Sequence, residues 1–160
     1  MNEKIISSAL HTIDLEAESV AGIRRFIDDG FVKVVQSIHQ SKGRVVVSGI
    51  GKSAIVGQKI VATLNSTGTP ALFLHAADAI HGDLGMVQED DIVIIISKSG
   101  ESPEIKVLAP LIKSFGNTLV GMIGKKDSFL ARTADLVLDT SVEKEACPNN
   151  LAPTTSTTAQ

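Results

Sequence analysis

Three serines surround a glycine in the middle of the chain, directly before a helix predicted to begin at Pro103. The serines are Ser97, Ser99 and Ser102, and the glycine is Gly100. Serine hydroxyls donate hydrogen bonds to phosphate oxygens, and a helix N-terminus adds unpaired N–H groups with partial positive charge. Glycine lets the backbone approach a ligand closely. The pattern predicts a phosphate-binding loop; the alternative is that Ser102 only caps the helix.

Other polar segments also follow predicted strands. They are residues 48–53 after the first strand, His75 and residues 81–83 after the second, and residues 143–148 after the fifth. In an open parallel sheet, ligands bind at the carboxyl ends of the strands. We therefore expect these segments and the serine-rich loop, residues 97–102, to meet at the edge of the sheet formed by the carboxyl ends of the strands.

The segment after the first strand partly matches two nucleotide-binding motifs. A Walker loop needs a glycine five positions before Gly51, where this chain has Val46. The spacing Gly49-x-Gly51-x-x-Ala54 fits the dinucleotide fingerprint, but the second strand ends in His75 instead of an acidic residue. A nicotinamide oxidoreductase is therefore the weakest functional alternative.

Strands and helices alternate after a helical N-terminal part. Residues 1–42 predict two helices with a turn at residues 28–30. The later strands are continuous apolar runs, typical of a parallel sheet with both faces buried, in an α/β layered fold. The predicted strands are residues 44–48, 69–75, 91–97, 118–123 and 136–138, and the predicted helices between them are residues 53–64, 104–115 and 128–133.

Composition excludes several classes of protein. The 160 residues fit one domain, and a net charge of −3 without Trp or Tyr disfavours a nucleic-acid-binding protein. No apolar run is long enough for a membrane span. The single cysteine, Cys147, excludes an internal disulfide and predicts an inert buried thiol. We expect a cytoplasmic protein that acts on a small molecule.

Several motifs resemble the sugar isomerase (SIS) domain and, within it, the arabinose-5-phosphate isomerases. The resemblance runs from about residue 42 to the C-terminus. The serine-rich loop is shared by SIS domains in general, whereas the HGDLGM and EACP–LAPT segments resemble the narrower group. The motifs are SGIGKS at 48–53, STGTP at 66–70, HGDLGM at 81–86, SGES at 99–102, EACP at 145–148 and LAPT at 151–154.

This resemblance implies a fold and an activity. The implied fold is a three-layer α/β/α sandwich with a five-stranded parallel sheet, in a single SIS domain over residues 1–160. Helices at 1–42 precede an α/β core at 43–160. The implied reaction interconverts D-ribulose 5-phosphate and D-arabinose 5-phosphate through an enediol, the first step toward Kdo and lipopolysaccharide. No cofactor is required, and zinc is expected only as an inhibitor.

The resemblance also assigns roles to individual residues. Catalytic roles fall on Lys52, Glu104 and Glu145, and His75 matches a residue linked to inhibitory zinc. His81 and His75 are both expected at strand ends. The residues expected to bind the substrate are Ser53, Gly68, Thr69, His81, Ser97, Ser99 and Ser102.

The same residue types also have ordinary structural explanations. Glu104 in a first helical turn can simply complement the helix dipole. Glu145 ends a charged run, and such runs are usually solvated faces. Lys52 could form a surface ion pair, and His75 and His81 could be packed loop residues.

The chain departs from the family pattern in two ways. Family members carry a paired CBS module after the SIS domain and a catalytic histidine in a His-Pro-Gly context, whereas all four histidines here lie at or before position 81. We therefore expect a SIS core truncated at its C-terminus. Its apolar N-terminal stripe is expected in the core or at an interface, in a homodimer or homotetramer with active sites between subunits. The alternatives are a non-catalytic phosphosugar-binding module and an isomerase of another sugar phosphate.

Overall fold

The centre of the computed structural model, which describes residues 2–160, is a parallel sheet of five strands. The strand order is β2-β1-β3-β4-β5, so the chain direction across the sheet reverses between β1 and β3. All five predicted strands are present; β4 has the predicted ends, and the ends of the others differ by at most two residues. The five strands are β1 (Val45–Gly49), β2 (Ala71–His75), β3 (Ile92–Ser97), β4 (Thr118–Ile123) and β5 (Leu136–Asp139).

Seven α-helices occur within the described residues. The helix at residues 29–40 begins where it does because the Asp28 carboxylate caps it, accepting hydrogen bonds from the amides of Gly30 (2.8 Å) and Phe31 (3.3 Å). The helices are α1 (Asn2–Gly22), α2 (Asp29–Gln40), α3 (Lys52–Ser66), α4 (Ala76–Ile80), α5 (Pro103–Ser114), α6 (Phe129–Thr133) and α7 (Thr155–Ala159), and 3₁₀ turns lie at Ile23–Phe26 and Asp83–Met86.

Helices cover both faces of the sheet and make three layers, as expected. On one face, α4, α5 and α6 pack on side chains such as Val46 and Ile95. On the other face, α2 and α3 pack on side chains such as Val47 and Ile94. The central strands β1 and β3 are buried at every position, which explains their apolar runs at residues 45–47 and 92–96.

Helix α1 lies outside these layers and packs against α7. None of its residues is buried, and five of its large apolar side chains are more than two-fifths exposed. The expectation that this stripe belongs to the core is therefore wrong for the single chain, because other helices already cover both faces of the sheet. The exposed side chains are those of Ile5, Ile6, Leu10, Ile13 and Val20.

Two short helices go beyond what the sequence pattern predicts. Helix α4 follows β2 directly, and α7 forms in the polar C-terminal tail. No turn residues separate α4 from β2, and α7 has no repeat of apolar residues at helical spacing. No helix within residues 2–160 is both long and apolar enough to cross a membrane.

Candidate functional site

The serine-rich loop lies where the strand order reverses. It leaves the carboxyl end of β3, whose neighbour β1 ends at Gly49 and leads into α3. The loop itself ends at the start of α5. The first turns of two long helices and the ends of two buried strands therefore converge at this edge of the sheet. In parallel sheets this crevice is where ligands bind.

Two of the three loop serines accept hydrogen bonds from the loop's own backbone. The Gly100 amide donates to Ser97 Oγ (3.0 Å), and the Glu101 amide donates to Ser99 Oγ (3.2 Å). A hydroxyl that accepts one hydrogen bond still has a hydrogen to donate. Both side chains are thus held in place by the loop and remain able to donate to an anion.

Ser102 occupies the cap position of α5, but its side chain does not cap the helix. Its backbone is extended (φ −62°, ψ 146°), and the hydroxyl forms no hydrogen bond to the first turn. The Ser102 hydroxyl is buried without a partner within residues 2–160, as is that of Ser48 at the end of β1. A buried hydroxyl without a partner is destabilising, so both groups are suited to a polar ligand.

Gly100 has the conformation and the space that only glycine allows. Its φ is +62°, and a Cβ built there would lie 2.3 Å from Ser128 Oγ and 2.5 Å from Ser128 Cβ. The Leu130 amide donates to the Gly100 carbonyl (3.1 Å), and the Phe129 amide donates to Glu101 Oε1 (2.7 Å). The first residues of α6 therefore hold the loop in place through these two hydrogen bonds.

Glu145 is buried in the site instead of lying on a solvated face. Its side chain is 1 % exposed, and Oε1 accepts a hydrogen bond from the Lys98 ammonium. Oε2 accepts from the amides of Thr154 (2.7 Å) and Ser156 (3.2 Å) and from the Thr154 hydroxyl (3.0 Å). Burial raises the pKa of the Glu145 carboxyl, but Lys98 and the two amides outweigh burial and hold that pKa well below its ordinary value.

Lys52 and Ser53 begin α3 beside the loop. Lys52 is exposed and forms no ion pair within residues 2–160. The Ser53 hydroxyl donates to Oε1 of Gln160 (3.3 Å), which brings the end of the C-terminal segment to the same helix start. Lys52 therefore does not form, within residues 2–160, the surface ion pair considered above.

Glu104 lies in the first turn of α5 and is half-buried. In the described part of the chain, its carboxylate has no hydrogen-bond or ion-pair partner. It differs in this from Glu145, whose two oxygens are both occupied. The two predicted catalytic carboxylates therefore stand in very different environments.

The remaining predicted residues are not all at this edge. Gly68 and Thr69 precede β2, whose first residue pairs with the first residue of β1, at the opposite edge of the sheet. That edge is about 15 Å from the serine-rich loop, given about 3.3 Å per residue along a strand. These two residues therefore do not join the other predicted residues within one chain.

The two histidines expected at strand ends, His75 and His81, lie at different kinds of position. His75 ends β2 as predicted, half-buried, with Nδ1 3.8 Å from Oδ2 of Asp78. His81 follows α4 and is exposed, so its expected position at a strand end is wrong. No group of three or more residues within 2–160 has the arrangement of a metal site.

Cys147 also differs from its expected environment. The side chain is partly exposed, and backbone amides of Ala152, Leu151 and Asn149 lower the pKa of its thiol. The expectation of a buried thiol is therefore wrong, because the loop that follows Cys147 leaves the side chain partly open to solvent.

Sequence reasoning missed the partners of Glu145. For Lys98, the one local signal was its position between two serines that were assigned to an anion-binding loop. Thr154 belongs to the LAPT motif, but nothing local to Thr154 or Ser156 indicates a contact with Glu145, because that contact depends on the turn of residues 145–154.

Comparisons with known proteins agree with this geometry. The SIS domain family model matches residues 37–160. The chain is 53 % identical over 157 residues to the arabinose 5-phosphate isomerase KdsD of Pseudomonas aeruginosa, covering 98 % of this chain and 48 % of that protein. It is 46 % identical over 155 residues to the arabinose 5-phosphate isomerase KpsF of Escherichia coli O6:H1, covering 96 % and 47 %.

The chain spans about half the length of these curated relatives. The solved structure of the E. coli CFT073 protein c3406, a complex with arabinose 5-phosphate, superposes with a TM-score of 0.94 at 38 % identity, covering 99 % of this chain and 85 % of that one. The family match, these relatives and the serine-rich loop at the reversal of strand order lead to one conclusion: the chain belongs to the SIS domain family.

Proposed function

We propose that the protein is a sugar-phosphate isomerase of the arabinose-5-phosphate type, which interconverts D-ribulose 5-phosphate and D-arabinose 5-phosphate. The observation that carries this proposal is the serine-rich loop with a buried carboxylate, Glu145, joined to it through Lys98. A phosphate-binding group and an acid–base group are the two parts that such an isomerase needs. The names of the relatives at 45–53 % identity support the choice of substrate.

The loop would hold the phosphate. The hydroxyls of Ser97, Ser99 and Ser102 and the first amides of α5 can donate to its oxygens. A five-carbon sugar phosphate is flexible, and holding its charged end fixes where the reacting carbons lie. Such positioning converts an encounter into a nearly intramolecular reaction.

The reaction itself transfers a proton between two carbons. A carboxylate removes the proton from C2 of the aldose, an enediol forms, and the proton returns to C1 to give the ketose; the hydroxyl proton moves in the same direction, from O2 to O1. Glu104 and Glu145 are the two candidates for this base. The exposed Lys52 ammonium would stabilise the negative charge that develops on the enediolate oxygen.

The wider expectations are part of this proposal. The reaction would feed Kdo and lipopolysaccharide synthesis in the cytoplasm and would need no cofactor. Zinc would act only as an inhibitor, with His75 as one ligand. These statements rest on the family resemblance.

We also propose that the protein assembles as a homodimer or homotetramer through α1. The apolar side chains of Ile6, Leu10 and Ile13 recur along one side of this helix and are exposed in the single chain. Light scattering should give a multiple of 16.8 kDa. Leu10→Glu should lower that mass, whereas Lys4→Glu on the polar side should not; a monomeric wild-type chain would contradict this assembly.

A non-catalytic phosphosugar-binding module is the second candidate. It is favoured by one observation, that both oxygens of Glu145 are already bonded, which weakens this carboxylate as a base. A binding module would need the loop and neither Lys52 nor Glu104.

Incubation in D₂O distinguishes the two candidates. The chain is mixed with D-arabinose 5-phosphate, D-ribulose 5-phosphate or hexose phosphates, with KdsD of P. aeruginosa as the positive control, and ¹H NMR follows deuterium at C2 and the products. An isomerase incorporates deuterium and forms the paired sugar. Binding without incorporation would support the binding module, and turnover of a hexose phosphate alone would identify a different isomerase.

Two variants assign the base. Glu104→Gln and Glu145→Gln each remove one carboxylate with little change in size. The variant that loses deuterium incorporation while keeping substrate affinity identifies the base. Normal incorporation in both variants would remove both glutamates from the mechanism.

A further inference from the structure

The two oxygens of Glu145 have very different partners. Oε2 is surrounded by donors from the start of α7: the amides of Thr154 and Ser156 and the Thr154 hydroxyl, with the Thr155 hydroxyl 3.1 Å away. Oε1 accepts a hydrogen bond from one group within residues 2–160, the ammonium of Lys98. Oε2 is therefore fixed by backbone that belongs to a folded segment, and Oε1 is controlled by one flexible side chain.

Lys98 is placed to leave that carboxylate for a ligand. Lys98 lies between Ser97 and Ser99 in the serine-rich loop. An anion bound by the hydroxyls of these two serines would therefore lie next to the backbone of Lys98. Its side chain is 50 % exposed, whereas that of Glu145 is 1 % exposed. A lysine ammonium on a four-carbon stem can move between two nearby acceptors without moving the backbone.

A bound phosphate and the Glu145 carboxylate would compete for the Lys98 ammonium, and charge favours the phosphate. A phosphate monoester carries close to two negative charges at neutral pH and offers three acceptor oxygens, whereas a carboxylate carries one charge. Charge-assisted hydrogen bonds to an ammonium are about twice as strong as neutral ones. Once Lys98 turns to the phosphate, Oε1 becomes a buried acceptor without its cation, while the donors at Oε2 still hold the carboxylate in place.

We propose that Lys98 is a positioning residue that keeps Glu145 inactive in the unliganded chain and releases its Oε1 when a sugar phosphate enters the serine-rich loop. This rests on the function proposed above, and it answers the objection that Glu145 is fully bonded. The carboxylate would become a stronger base only with a phosphate bound. Binding of the substrate's charged end would thereby prepare the group that acts on its reactive end.

The test observes Glu145 directly in the full chain. The carboxyl carbons of glutamate are labelled with ¹³C, the Glu145 signal is assigned with Glu145→Gln, and its chemical shift is followed by NMR at neutral pH without ligand, with inorganic phosphate and with D-arabinose 5-phosphate. We expect either ligand to shift the signal, because Oε1 loses its hydrogen bond from the Lys98 ammonium.

Three variants separate release from a merely structural ion pair. In Lys98→Met the signal should already lie near its ligand-bound position, phosphate should move it little further, and phosphate affinity should fall about tenfold. Lys98→Arg should behave like the wild type. Lys113→Met, which removes a lysine from the ion pair with Asp135 near the other edge of the sheet, should leave Glu145 and its response unchanged.

The outcomes distinguish this inference from the proposed function. If phosphate or sugar phosphate binds and the Glu145 signal does not move, Lys98 does not release it, and the isomerase proposal stands. If Lys98→Met keeps full phosphate affinity, Lys98 does not turn to the ligand. If neither ligand binds, both proposals fall. Should Lys98→Met fail to fold, the wild type and Lys98→Arg still decide between these results.

Discussion

Replacing Gly100 by alanine should destabilise the protein much more than the same change at another glycine with positive φ. At Gly100 the new Cβ adopts φ +62° and meets Ser128 Oγ at 2.3 Å and Ser128 Cβ at 2.5 Å. At Gly116 it adopts φ +84° and meets nothing within 4 Å. Gly116→Ala is therefore a matched control that carries the conformational cost without the overlap.

The magnitude follows from these two contributions. A left-handed conformation costs a non-glycine residue about 1–2 kcal/mol. Forcing an extra methyl group into a packed site costs about a further 1–3 kcal/mol. Gly100→Ala should thus lose about 2–5 kcal/mol of unfolding free energy, and Gly116→Ala about 1–2 kcal/mol.

Urea unfolding followed by circular dichroism measures both values, and phosphate binding by calorimetry measures the consequence for the loop. The overlap lies between the serine-rich loop and the start of α6, so Gly100→Ala should also weaken phosphate binding while Gly116→Ala should not. Equal losses of stability in the two variants would show that Ser128 moves aside freely. In that case α6 does not support the loop.

Three further predictions concern hydroxyls and carboxylates. Ser102→Ala should weaken phosphate binding without loss of stability, because its buried hydroxyl has no partner in the described residues; reduced stability in calorimetric melting would show a structural bond instead. Asp91→Asn should cost about 1–3 kcal/mol of unfolding free energy in urea, since it removes the buried charge partner of Arg44, whose own side chain is 36 % exposed and keeps contact with water; a loss below about 0.5 kcal/mol would contradict this. Burial raises the pKa of the carboxyls of Asp91, Asp135 and Glu145, but their hydrogen bonds outweigh burial and lower each pKa below its ordinary value. The unfolded chain therefore binds more protons in acid, and stability should be full above about pH 5 and fall as the pH drops below about 4; melting temperatures that stay constant from about pH 6 to pH 3 would refute this.

The central strands were predictable because their burial on both faces produces a run of consecutive apolar residues in the sequence. A strand buried on both faces needs apolar side chains at every position, and the runs at residues 45–47 and 92–96 meet that need without any knowledge of their neighbours. The serine-rich loop was predictable for a similar reason, since a strand end, a glycine and a helix start are adjacent in the chain. Helices α4 and α7 were not, because α4 follows β2 without intervening turn residues and α7 lies in a polar tail without apolar residues at helical spacing.

Long-range contacts account for what the residue pattern could not show. Glu145 follows Glu143 and Lys144 and has the local pattern of a solvated charged run, yet it is buried because the chain turns back and Thr154 and Ser156 donate to it. Likewise, Gly68 and Thr69 belong to a recognisable motif, but the direction of β2 puts them at the far edge of the sheet. Local patterning is enough to specify strands, helix starts and an anion-binding loop. The ionisation and availability of a buried carboxylate depend on groups distant in sequence, because burial and hydrogen bonding act through space.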